Sequence, residues 1–286
     1  MPNEPSVALP PGAARASGLR LLGSELGVLF RRRRTWAMLL ALAAIPVLIA
    51  VAVRLSSAVP PGRGPAFLDR ISQNGLFVGV TAMLVAVPLF LPLTIGVVVG
   101  DTLAGEAGLG TLRYLLAAPA GRGRLLLVKY AGAVVFAVAA PLTVALVGAG
   151  IGAALFPVGP VTLLSGDTIG AAEALGRLLL IAAYLAVSLV GLSAIGLFMS
   201  SLTDVPVGAM AATVVLAVVA QVADALPQLE WLHPWLFSHR WLDFADLLRQ
   251  PIVWDSFAAN ALLQGGYLAV FGSLAYARFA TKDVLS

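Results

Sequence analysis

The chain has no cysteine, only two histidines and two lysines among its 286 residues, and just 11% of it is charged. Without cysteine there is no disulfide framework, haem thioether, iron–sulfur cluster or thiolate metal site. Soluble globular domains carry roughly a quarter of their residues as Asp, Glu, Lys and Arg. A water-soluble fold is therefore excluded, and the mean hydropathy of +0.96 agrees. The 29 glycines follow no three-residue period, which removes collagen, and a hydrophobic content of 60% removes intrinsic disorder. What remains is an integral membrane protein.

Long apolar runs are what the chain does have. A bilayer core about 30 Å thick takes about 20 residues of helix to cross. Six charge-free stretches meet that need, at 35–53, 71–100, 130–166, 178–203, 205–223 and 256–277. The third is too long for one crossing, and Pro157, Gly159 and Pro160 stop its helix near Phe156. A β-barrel needs short segments of alternating hydropathy instead of solid runs. The expectation is an all-α integral membrane protein whose transmembrane domain, 35–277, crosses at 35–53, 75–100, 130–156, 178–202, 205–223 and 257–277. Residues 1–14, rich in Pro, Gly and Ala, read as a disordered lead-in, and 278–286 as a tail. Between them and the first span, 15–34 reads as an amphipathic interfacial helix, with Leu19, Leu22, Leu26, Leu29 and Phe30 at helical spacing.

The 18 Lys and Arg outweigh 14 Asp and Glu, for a formal charge of +4. They cluster at the ends of apolar runs, which points to topology and away from nucleic acid. Arg15, Arg20, Arg31 to Arg34, Arg113, Arg122, Arg124, Lys129, Arg278 and Lys282 would share one side of the membrane. Arg54, Arg63, Arg70, Arg177, Arg240 and Arg249 would share the other. That bias places both termini and the loop 101–129 in the cytoplasm of a multi-pass protein of the plasma membrane.

The loop 101–129 carries the densest motif. Gly108 and Gly110 allow a sharp turn, Thr111 can cap a short helix through Leu112, Leu115 and Leu116, and Pro119 ends it before Arg122 and Arg124. A short helix with an apolar ridge and a few charges suits a groove on a soluble partner. A solvated turn with an interfacial helix fits the same residues, and physics alone leaves both open. This stretch, with Glu106, Gly110-Thr111-Leu112-Arg113, Pro119, Arg122 and Lys129, resembles the membrane subunits of ABC-2 type transporters.

The resemblance implies a six-span permease with an amphipathic connecting helix before span 1 and a coupling helix between spans 2 and 3. It further implies a cytosolic ABC ATPase subunit and a second permease, identical or related, as partners, with export as the usual direction. ATP and Mg would be bound by the partner, and no cofactor by this chain. On that footing Glu106, Gly110, Thr111, Leu112, Arg113 and Arg122 are the expected coupling contact. The alternative is an ion-coupled or passive membrane carrier without an ATPase.

A permease of this kind should lack its own nucleotide site. A P-loop needs Gly-Lys followed by Ser or Thr, yet Lys129 follows Val128 and Lys282 follows Thr281. Gly148-Ala-Gly150-Ile-Gly152 lies inside an apolar span, where small residues serve close helix packing. Gly191-Leu-Ser193-Ala-Ile-Gly196 mimics an intramembrane serine protease, but no span contains the His such a nucleophile needs. No catalytic residue is therefore expected.

The connection 224–255 holds four of the five tryptophans and both histidines. Trp231, Trp235, Trp241 and Trp254 suit a headgroup zone, so membrane-hugging helices are expected between spans 5 and 6. A helix over 238–250 would set His239, Asp243, Asp246 and Gln250 opposite Trp241, Phe244 and Leu248, with Pro251 ending it. An exposed polar face is favoured there over a metal site from His233, His239, Asp243 and Asp246. Among the mid-span polar residues, Gln221 and Gln264 are proposed to line a largely apolar substrate pathway.

Overall fold

The computed structural model describes residues 11–56, 71–110, 121–163 and 165–281. Helix accounts for 81% of it, and the only strands among the described residues are a two-stranded hairpin, β1 (Val161–Thr162) and β2 (Thr168–Ile169). Six of its helices are long and apolar enough to cross a membrane. The all-α membrane fold read from the charge-free runs is the fold observed.

Helix α1 (Pro11–Arg31) meets α2 (Arg33–Ser56) at a corner on Arg32. The last carbonyls of a helix have no partner within it. Here the Thr35 hydroxyl donates to Leu29 O at 2.6 Å and the Trp36 indole to Phe30 O at 2.7 Å, so the residues that begin the first span close the end of α1. The second charge-free run divides into α3 (Phe77–Ala86) and α4 (Phe90–Gly108). Pro88 and Pro92 explain the division, because each removes a main-chain N–H and crowds the preceding turn. Helix α4 ends in a turn at Gly110, whose φ of +69° favours a residue without Cβ.

Helices α5 (Arg122–Leu155), α6 (Ala171–Leu202), α7 (Pro206–Asp224) and α8 (Asp255–Thr281) complete the crossings. Together with α2 and α4 they are the six spans. At the expected foot of span 3 the helix begins eight residues early, because Arg122, Arg124 and Lys129 lie on α5 instead of in a loop. Helix α6 likewise takes in Arg177 by starting at Ala171. Of the expected lead-in 1–14, residues 11–14 are already helical and 1–10 lie outside the described residues, as do 282–286 of the expected tail. Between α7 and α8 the expected helix 238–250 is replaced by turns and three short 3₁₀ segments, Pro227–Leu229, His233–Trp235 and Asp243–Leu248.

Helix α6 is the hub: 72% of its most apolar stretch is buried, against 11% for α8. Its Leu178, Ile181, Tyr184, Leu192 and Ile195 meet Leu42 of α2, Met83 of α3, Leu91, Ile95 and Val99 of α4 and Phe136, Ala140 and Val144 of α5 in one cluster. Lipid gives no hydrophobic drive to this contact, so close approach of small residues matters. Gly148 and Gly152 of α5 lie so near Gly79 and Gly75 that an added Cβ would overlap their main chain, whereas Gly150 faces open space.

Candidate functional site

The end of the bundle that carries α1, the foot of α4, the start of α5 and the last turn of α8 is called proximal below, and the opposite end distal. At the proximal end Lys129 of α5 is 2% exposed. Its Nζ donates to Glu106 Oε1 of α4 at 2.5 Å and to Glu25 Oε1 and Oε2 of α1 at 3.1 and 3.3 Å. A buried ammonium needs such partners to offset its lost hydration. Gly132 of α5 lies beneath Glu25, where an added Cβ would meet Glu25 Cγ at an ordinary contact distance of 3.5 Å.

A second clasp lies one turn away. Arg32 and Arg34, at the corner of α1 and α2, both pair with Asp101 of α4, and Arg34 Nη2 also donates to Val97 O at 2.9 Å. Gly105, one turn beyond Asp101, leaves room for that carboxylate. Ser200 of α6 donates its hydroxyl to Gly100 O at 2.8 Å and accepts from Ala104 N at 2.9 Å. It also accepts from Leu103 N at 3.1 Å. Nothing in the sequence singles out this serine, since it sits in an apolar run beside Ser201.

Of the six expected coupling residues, Thr111, Leu112 and Arg113 lie outside the described residues. Glu106 and Gly110 stand at the foot of α4 and Arg122 at the start of α5, so the ends of the connection do converge at the proximal end. Two of them, however, make contacts within the chain. Glu106 is engaged with Lys129, and Arg122 Nη1 donates to Ala280 O at 2.6 Å and Phe279 O at 3.3 Å, closing the carbonyl end of α8.

Gln221 and Gln264 serve different elements. Pro92 has no N–H to offer Pro88 O four residues back, and Gln221 Nε2 of α7 donates to that carbonyl at 2.8 Å. Gln264 of α8 is buried, and its Nε2 donates to Phe237 O at 2.8 Å and to Asn260 Oδ1 at 3.2 Å. Asn260 in turn donates to Ser188 Oγ at 2.7 Å.

The same kind of bond fastens the whole distal segment. Tyr184 donates to Arg240 O (2.6 Å), Trp241 to Ser188 O (3.1 Å) and Tyr267 to Trp235 O (2.7 Å). Arg177 donates to Leu247 O and Arg249 O at 2.8 and 2.9 Å, and to Gln250 and Glu173. Trp231, Trp235 and Trp254 are exposed as a headgroup belt requires, but Trp241 is buried in the interior, held there by its bond to α6. His239 Nδ1 lies 2.6 Å from Asp224 Oδ1, joining the segment to the end of α7. Burial pushes the Asp243 carboxyl above its ordinary value; Arg240 and His239 oppose this, and Asp246 and Asp224 add to it. Among the described residues no group of three or more His, Asp or Glu is placed to hold a metal ion.

A family model described as ABC-2 family transporter protein fits residues 21–220, from the middle of α1 to the last turns of α7. No curated protein sequence matches the chain.

Proposed function

The chain belongs to the ABC-2 transporter family, and from that premise we propose that it forms the membrane pathway of an ABC exporter whose ATP is hydrolysed by a separate cytosolic subunit. It is a multi-pass membrane protein and a permease without a catalytic role of its own. A second permease, identical or related, completes the pathway, and the ATPase subunit carries ATP and Mg. The proximal end faces the cytoplasm and the complex sits in the plasma membrane, in accord with the excess of Lys and Arg on that side.

The observation that carries this reading is the convergence at Lys129. Helix α1, the foot of α4 and the start of α5 meet there, and residues 111–120 connect the latter two. A segment so mounted, with Thr111, Leu112 and Arg113 at its start, is the place where closure of an ATPase can push on spans 2 and 3. Gln221 and Gln264 remain proposed as pathway residues, and both amide nitrogens donate to main-chain carbonyls.

The test is to tag the chain at its C-terminus, extract it from its native membrane in mild detergent and identify what co-purifies. A soluble P-loop protein is the expected result. Recovery of the chain alone, under conditions where another ABC complex survives extraction, would overturn the reading. Arg113→Glu should then weaken ATPase docking while leaving membrane insertion intact, as read by membrane fractionation and co-purification.

A further inference from the structure

We propose that Lys129 is the positioning residue of the coupling joint: it sets the angle of α1 against the foot of α4 and the start of α5, and does so from inside the chain without touching the ATPase. This rests on the functional reading above only where a partner is invoked; the joint itself is a statement about this chain.

An ammonium 2% exposed is a poor way simply to hold helices together, because an apolar side chain of similar size does so without losing hydration. Buried charge is best suited to fixing a register. Lys129 is placed to do that. It faces Glu106, four residues before the left-handed turn at Gly110, and Glu25, in the middle of α1. It lies seven positions after Arg122, which is bound to the end of α8. Both limbs of the connection and α1 are thus referred to one nitrogen. Two carboxylates share one ammonium, and Arg32 also acts on Glu106, so either Lys129 bond can strengthen as the other lengthens. A push on the connection then changes the angle of α1 in a set direction instead of freeing it.

The absence of cysteine makes the test direct. Val28→Cys on α1 and Leu109→Cys at the foot of α4 are exposed positions for a pair of spin labels. The distance distribution is measured on the full chain in nanodiscs, first alone and then with the co-purified ATPase, without nucleotide and with Mg-ATP and vanadate. Alone, the parent should give one narrow distribution. Lys129→Met and Glu25→Gln should each broaden it about twofold, and Lys129→Arg should restore it.

In the complex, the parent distribution should shift with nucleotide. Lys129→Met should lose that shift while KM for ATP stays unchanged, because the nucleotide site is on another chain. A narrow distribution in both Lys129→Met and Glu25→Gln overturns the proposal. So does a nucleotide-driven shift as large in Lys129→Met as in the parent. Glu25 is partly exposed, so Glu25→Gln keeps the test decisive if Lys129→Met fails to fold. Failure of any ATPase to co-purify would count against the functional reading alone, since the measurement on the isolated chain does not depend on a partner.

Discussion

Lys129 and Arg177 are the two buried cations among the described residues, one at each end of the bundle, and their partners differ in kind. Lys129 is met by carboxylates on two other helices. Arg177 is met chiefly by the main-chain carbonyls of Leu247 and Arg249, with Gln250 and Glu173 completing its fork. The proximal end is joined by charge, which a point cation can share between partners as helices shift. The distal end is joined by directed bonds to backbone. That segment has little regular helix, so its carbonyls need outside donors. Tyr184, Trp241, Tyr267, Gln264 and Arg177 supply or anchor those bonds from α6, α8 and the segment itself. The proximal joint also lies within the stretch matched by the family model, whereas the distal segment lies beyond residue 220. On the reading proposed above, one end transmits movement and the other fixes a shape.

The most severe way to break this contrast is Lys129→Met. It leaves Glu25 and Glu106 facing each other without the ammonium between them, at a cost of about 3–5 kcal/mol, read as a lowered unfolding midpoint in detergent. Adding Glu25→Gln and Glu106→Gln should recover most of the loss, because an uncharged joint of similar volume is not penalised. If the triple variant is no more stable than Lys129→Met, the proximal end is not held by charge. Arg177→Lys is the distal counterpart. It keeps the charge but loses the fork that reaches several acceptors at once, and should cost about 2 kcal/mol. Lys129→Arg should cost less than that. Equal losses at the two sites would erase the distinction between a charge joint and a directional one.

The spans themselves were legible, because solid apolar runs of crossing length leave no other fold in lipid. Their ends were less so. Helix α5 continues through Lys129, Arg124 and Arg122, since a helix need not stop where the apolar run stops and long basic side chains can find partners. Pro88 and Pro92 were visible signals that 75–100 would not form one helix, yet the repair of that break by Gln221 joins residues 133 apart and no local pattern announces it. Glu106 reads from the sequence as a contact for a partner, but its bond to Lys129, and that of Lys129 to Glu25 104 positions away, join separate helices that no local pattern pairs. Trp241 and the 238–250 periodicity misled for a related reason. An amphipathic pattern states which residues are polar, and only the neighbouring Ser188 carbonyl decides that this indole turns inward.

Between the two ends, Gln221→Leu tests whether the break in span 2 depends on a neighbour. Pro88 O loses its donor, and nothing in α4 can replace it. The expected cost is about 1 kcal/mol, with amide exchange at Leu89 and Leu93 about fivefold faster. Unchanged exchange there would mean that the break is held by proline geometry alone.

The smallest expected effect belongs to the distal end and has a definite sign. Asp243 sits against Arg240, His239, Asp246 and Asp224, and burial raises its folded-state pKa above the ordinary 3.8. The folded protein therefore binds this proton more readily than the unfolded chain. Stability falls with rising pH wherever the folded state holds more protons. Acidification through the raised pKa should accordingly stabilise the distal segment, with the gain complete below 3.8. Asp243→Asn removes the titration, so the difference in unfolding midpoint between parent and variant isolates this group from every other carboxylate. That difference should move in the parent's favour as pH falls and then level off. The carboxylate is more than a third exposed and solvent screens it, so the movement should be smaller than that of any substitution above. A difference that moves the other way would mean that Arg240 outweighs burial, and that the distal end, like the proximal one, relies on an ion pair.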